Sequence, residues 1–164
     1  MLLTFNVDEH ALTYAIANVI AELSDHVAPA VTDAAEDVAV TARQEHDYMD
    51  RTGALTRSIQ AHPATGQLYG GSLEAEVSAD AGHAAFVEFS TKAHRIPLIG
   101  NAKSMLRFII GGRTIFAHHV QHPGTTAKRF LAKALQDEMP RTTETVLQGA
   151  CDAFRAAGFV VQLL

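Results

Sequence analysis

Three histidines, His118, His119 and His122, stand within five positions of the stretch AHHVQHPGTTAKRF, Ala117 to Phe130. A Pro-Gly follows, then the bases Lys128 and Arg129. Imidazoles at this density are the raw material of a transition-metal site. With Glu88 as general acid or base they would make a small metal-dependent hydrolase, and His94 could join through folding. The spacing argues against it. On a strand, His118 and His119 point to opposite faces. His118 and His122 then share a face about 13 Å apart, too far for one ion. A helix would bring those two together, but β-rich residues precede them and Pro123-Gly124 follows at once. There is no HExxH, and no acid lies between residues 89 and 136 to orient a ligand histidine. The stretch is therefore expected to close a strand and launch a helix, with no metal and no cofactor.

Other chemistries fail on the same kind of test. The chain has no GxSxG, no phosphate-binding P-loop and no GxGxxG. Gly70-Gly71 lacks the strand and helix of a phosphate loop, and Ser58 and Ser72 lack local partners to activate a nucleophile. The single cysteine, Cys151, excludes an internal disulfide and any multi-cysteine metal site; it reads as a small buried hydrophobe. Glu88 lies between Val87 and Phe89, where burial would suit a carboxyl to acid–base work. An ion pair with a nearby base is its expected role. No enzyme is expected.

The elements that would position these residues can be read from periodicity. LLTFNV suggests a short strand, and Asp8 a helix N-cap. Leu12, Ala15, Ile16, Val19, Ile20 and Leu23 recur at helical spacing. Pro29 should end that helix, and Val31, Ala35, Val38 and Ala42 mark a second one with a small apolar face. HPATGQLYGGS reads as a turn-rich loop, LEAEVSA as a strand with Leu73, Ala75 and Val77 on one face, and Lys92–Asn101 as a loop. MLRFIIGGRTIFAHHV reads as a hairpin turning at Gly111-Gly112. Thr125 or Thr126 should cap a helix with Phe130, Leu131, Ala134 and Leu135 inward, kinked or restarted at Pro140 and ending near Gly158. FVVQLL would be a last strand or a docking tail. The expected fold is α+β: a central, mostly antiparallel sheet packed by two N-terminal helices and one kinked or paired C-terminal helix. The 164 residues, 48% apolar, suit a single domain. Its helical part would cover about 8–49, its sheet and loops about 50–124, and its C-terminal helices about 126–157.

Charge is divided along the chain. Residues 1–50 hold ten acids and one base, Arg43; residues 89–136 hold eight bases, among them Lys92, Arg95, Lys103, Lys128, Arg129 and Lys133, and no acid. The two parts could neutralise each other within a monomer, or drive head-to-tail self-association. A nucleic-acid-binding module built on 89–136 is a further alternative, although the net charge of -5 and the lack of interleaved aromatics disfavour sequence-specific binding. No apolar run is long enough to span a bilayer. The opening MLLTFNVDEH turns acidic without a basic leader, so no export signal is expected, and synthesis in a reducing cytoplasm is.

Three stretches together resemble a known family. Thr52-Gly53-Ala54-Leu55 with Arg57-Ser58-Ile59 resembles the DTGALRRSI segment of minor tail components of tailed bacteriophages, the neck or head–tail joining proteins of long-tailed phages. Phe86-Val87-Glu88-Phe89-Ser90-Thr91 resembles that family's YVEFGT. His122-Pro123-Gly124-Thr125, with Phe130 and Leu131, resembles its HPGTKARPFLRPAL. The three occur in the family's order and cover residues 4 to about 136. Arg51 stands where the family often has Asp, Ser90 where it has Gly, and Arg129 where it often has Pro; Ser90 weakens any requirement for positive φ there.

The resemblance implies a virion structural protein without catalysis. It would form a six- or twelve-fold ring around the DNA channel, beside portal-adaptor, neck and tail proteins. DNA would pass without sequence-specific binding, and no membrane is involved. Synthesis would be in the bacterial host cytoplasm. Lys128 and Arg129, expected in the first turn of a helix where the macrodipole disfavours cations, suggest an external anion. The segment Lys92–Lys103 is expected to order on contact with a neighbour.

Overall fold

The computed structural model describes residues 9–68, 70–97 and 105–161. In chain order the elements are α1 (Glu9–Gln44), α2 (Ala54–Ser58), β1 (Ile59–Gly66), β2 (Leu73–Ala79), α3 (Ala84–Phe89), β3 (His94–Pro97), β4 (Leu106–Ile110), β5 (Arg113–Ala117), β6 (His119–His122) and α4 (Phe130–Ala156). The class is α+β with antiparallel pairing, as expected. The chain divides into two compact units. One joins Met1–Ala81 to Phe130–Leu164, and the other is Gly82–Arg129.

In the first unit, α1 packs along α4 and against β1 and β2. The buried stripe is Val27, Ala30, Ala34, Ala35, Val38, Ala39 and Ala42. These small residues let the partner backbones approach closely. They also explain why Pro29 does not divide α1 in two, as the sequence suggests: it sits inside one 36-residue helix. A mid-helix proline costs about 3 kcal/mol through its missing N–H and its ring clash, and packing on both sides of Pro29 opposes that cost. Likewise α4 runs through Pro140 as one helix instead of restarting. It ends with Gly158 N–H bonded to the Arg155 carbonyl, Phe159 N–H bonded to the Phe154 carbonyl, and the Phe154 and Phe159 rings edge to face at 6.1 Å. No strand forms over Phe159–Val161.

β1 pairs antiparallel with β2, and the register shifts between His62 and Thr65. The stretch read as a turn-rich loop is thus strand as far as Gly66. Pro63 is tolerated because it lies in this bulge, where the ladder needs no donor. The Ala64 N–H released there is accepted by Thr32 Oγ1 of α1 at 3.0 Å. β2 has the expected bounds, with Leu73, Ala75 and Val77 on its less exposed face. The largest fully buried side chains are Phe130, Leu55 and Ile59. Leu135, expected inward, is 46% exposed.

In the second unit, β4 and β5 form the expected hairpin, with Gly111 and Gly112 at φ 55° and 79° in its two-residue turn. β3 pairs with β6 inside a segment expected to be loop. Among the described residues the strands pair as three two-stranded sheets, β1–β2, β3–β6 and β4–β5, where one central sheet was expected. The LLTFNV strand, most of the Pro97–Lys103 stretch with Lys103 itself, and the last three residues lie outside the described residues.

Candidate functional site

The first motif builds a turn. Asp50 Oδ2 accepts the Thr56 N–H at 2.8 Å and Thr56 Oγ1–H at 2.9 Å, so its carboxylate caps the short helix α2. These bonds, the Thr56 backbone N–H foremost, hold the Asp50 carboxyl below the usual range. Gly53 adopts φ 69°, and Arg57 folds back over it to donate to the Thr52 carbonyl at 2.9 Å. The Ser58 hydroxyl donates to the Leu55 carbonyl at 2.7 Å. Leu55 is thereby placed in the core with Ile59 and Phe130. Tyr48 stacks on His46 at 3.8 Å and meets the Phe130 edge at 5.1 Å; burial raises its phenol above the ordinary value. Arg43, paired with Glu36, also donates to the Ile59 carbonyl at 3.1 Å.

The second and third motifs are bonded to each other. Thr91 and Thr125 exchange both backbone N–H to carbonyl bonds at 3.1 Å, and their hydroxyls meet at 3.0 Å. Lys128 N–H reaches the Val87 carbonyl at 2.8 Å, and Arg129 N–H the Glu88 carbonyl at 3.3 Å. Gly124 sits at φ 91°, where a Cβ would run into the Thr91 carbonyl. These contacts correct the expected helix start. Thr125 bridges to Thr91, and α4 begins at Phe130, so Lys128 and Arg129 precede the helix. The macrodipole argument for an external anion there falls with it. Ser90 keeps the glycine-like conformation, φ 80° and ψ 167°, despite its side chain.

The histidines are divided. His118 lies between β5 and β6, and His119 pairs with Pro97. His122 faces His94 across the strand pair, with rings stacked at 5.1 Å. His94 Nδ1 donates to the Lys92 carbonyl at 2.8 Å, and His122 Nδ1 accepts the Gly124 N–H at 3.0 Å. His119, three positions from His122 on the same strand, points to the other face. Among the described residues no three of His, Cys, Asp and Glu are grouped to hold a metal.

Glu88 is buried, Phe89 on the same helix is 75% exposed, and Lys92, Arg95 and Arg129 are exposed on the second unit. Lys128 is half-buried there, and Lys133 is exposed on α4 of the first unit. Sequence reading missed Asp50 and the His94–His122 pair. Asp50 stands three residues ahead of the N-cap position Gly53, outside the usual cap spacing, and the histidine pair depends on a register no local pattern reveals.

Residues 15–89 match the family model described as "Bacteriophage HK97-gp10, putative tail-component". Over that segment the chain is similar to a family of putative phage tail components. The segment contains α2, the β1–β2 hairpin and α3, and with them the TGAL and VEF motifs. No curated protein and no solved structure matches the chain. No helix among the described residues is long and apolar enough to cross a membrane.

Proposed function

We propose that this chain is a structural component of a tailed-phage virion, placed in the neck where head and tail join. In this reading it assembles as a six- or twelve-fold ring around the DNA channel and contacts neighbouring portal-adaptor, neck and tail proteins. The role is mechanical, not catalytic. The family match over residues 15–89 carries the reading. The division of charge supports it: Gly82–Arg129 holds seven bases and one acid, a formal +6, and the rest of the chain six bases and seventeen acids, a formal -11. Ring closure needs unlike surfaces on the two sides of one subunit, and opposite charge on two units supplies such a difference. Lys92, Arg95, Lys103, Lys128, Arg129 and Lys133 are the proposed contacts to neighbouring acids or to DNA phosphate, without sequence readout.

The test is a phage carrying an early stop codon in this gene. Full heads and separate tails should accumulate, and wild-type protein supplied in trans should restore joined particles containing it. Normal yields of joined, infectious particles without the protein would refute the neck role.

A further inference from the structure

The β4–β5 hairpin is a two-stranded ribbon, and such a ribbon is marginal in water unless something packs on it. From its register, Arg107, Ile109, Thr114 and Phe116 share one face. All four are exposed, Ile109 at 63% and Phe116 at 56%. The first unit offers a complementary surface. α1, β2 and α4 enclose an apolar groove of about 320 Å³, lined by Val31, Val38, Val77, Leu131, Leu135 and Val146 among others. Thr142, also on its wall, has a buried hydroxyl with no hydrogen-bond partner among the described residues.

Charge selects the pairing. Ribbon against ribbon would bring together two units of formal +6, and groove against groove two of -11. Ribbon into groove brings opposite charges together. α1 carries Asp33 between its groove-lining residues, beside Glu36 and Asp37, which pair with Arg43 and Arg141 of the same chain, and the ribbon carries Arg107 beside Phe116. We propose that the Arg107–Ile109–Thr114–Phe116 face of one copy seats in the α1–β2–α4 groove of a second copy. The contact is heterologous, so repetition builds a ring or a filament. It deepens the assembly reading above and rests on it for its biological setting.

The experiment uses the full chain with a photoreactive benzoyl-phenylalanine at position 116. Isotopically heavy and light copies are mixed and irradiated, both as purified protein and in purified particles. Heavy–light cross-links to peptides covering residues 31–38 or 131–146 are expected, and they should fade at high salt. Cross-links only within one copy, cross-links to another copy's residues 106–117, or none between copies in either sample would overturn the proposal. As an independent check, Ile109→Asp should weaken self-association about tenfold or more by light scattering, with far-UV circular dichroism unchanged. Undiminished association of the folded variant would also overturn it. The two readings separate cleanly. Cross-linked copies in solution but no protein in virions refutes the neck role alone, and protein in virions without the cross-link refutes this contact alone.

Discussion

Asp50 holds Thr56 by two bonds from one carboxylate oxygen, 2.8 Å to the backbone nitrogen and 2.9 Å to the hydroxyl. Because the folded carboxyl is held below its ordinary value, the sign of its pH effect is fixed. Its contribution is complete above the unfolded-state pKa and is lost as pH falls through the lower folded-state value. The melting temperature should therefore drop in acid, below the usual carboxylate range. Asp50→Ala should melt lower at neutral pH and lose part of that acid dependence. The remainder includes Asp152, which Gln148 and then Arg155 hold low in the same way. Melting curves from pH 6 to pH 2 test this; identical slopes for variant and parent would refute it.

Ser90 sits in a region of φ and ψ that is nearly reserved for glycine. Ser90→Gly should relieve strain worth about 1 kcal/mol after the extra unfolded-state entropy of glycine is counted. That corresponds to a rise of about 2–4 °C in melting temperature for a chain of this size. Ser90→Val should move it the other way. Thermal denaturation of both variants is the check.

Gly124→Ala combines positive φ with a clash against the Thr91 backbone. A cost of about 2 kcal/mol or more is expected, concentrated where β3 meets β6. Amide exchange should quicken at Thr91 and Thr125, whose reciprocal bonds that clash would part. Unchanged protection at both amides would count against the proposed close approach.

Phe130→Ala removes a ring that is 1% exposed and stands edge-on to Tyr48. The expected loss is about 3–5 kcal/mol, read from the midpoint of chemical unfolding. A loss below about 1 kcal/mol would mean that the ring is not central to the core.

What could be read in advance was what depends on local period. The small apolar face at Val38 and Ala42, the alternation of Leu73, Ala75 and Val77, and the Gly111-Gly112 hairpin all follow from neighbours a few positions apart. The errors fall where distant packing overrides a local signal. Pro29 and Pro140 are helix breakers in isolation but lie inside packed helices here, and Pro63 is absorbed by a bulge whose free N–H finds Thr32. β3 has four residues, one of them Pro97, and exists through pairing with β6. Of the candidate residues, the TGAL, VEF and HPGT positions were recognisable as motifs. Their work, a capped turn and a doubly bonded bridge, required coordinates.

The chain leaves the first unit at Ala81 and returns to it at Phe130, so α1 is made long before its main partner. From Gly82, 75 residues must be added before α4 ends at Ala156. At ribosomal rates of about 5–20 residues per second this takes roughly 4–15 s. During that interval the face of Val38, Ala39 and Ala42 has no α4 to cover it. The nascent chain is then open to chaperones and to mispairing, and the first unit cannot be completed until α4 has been made.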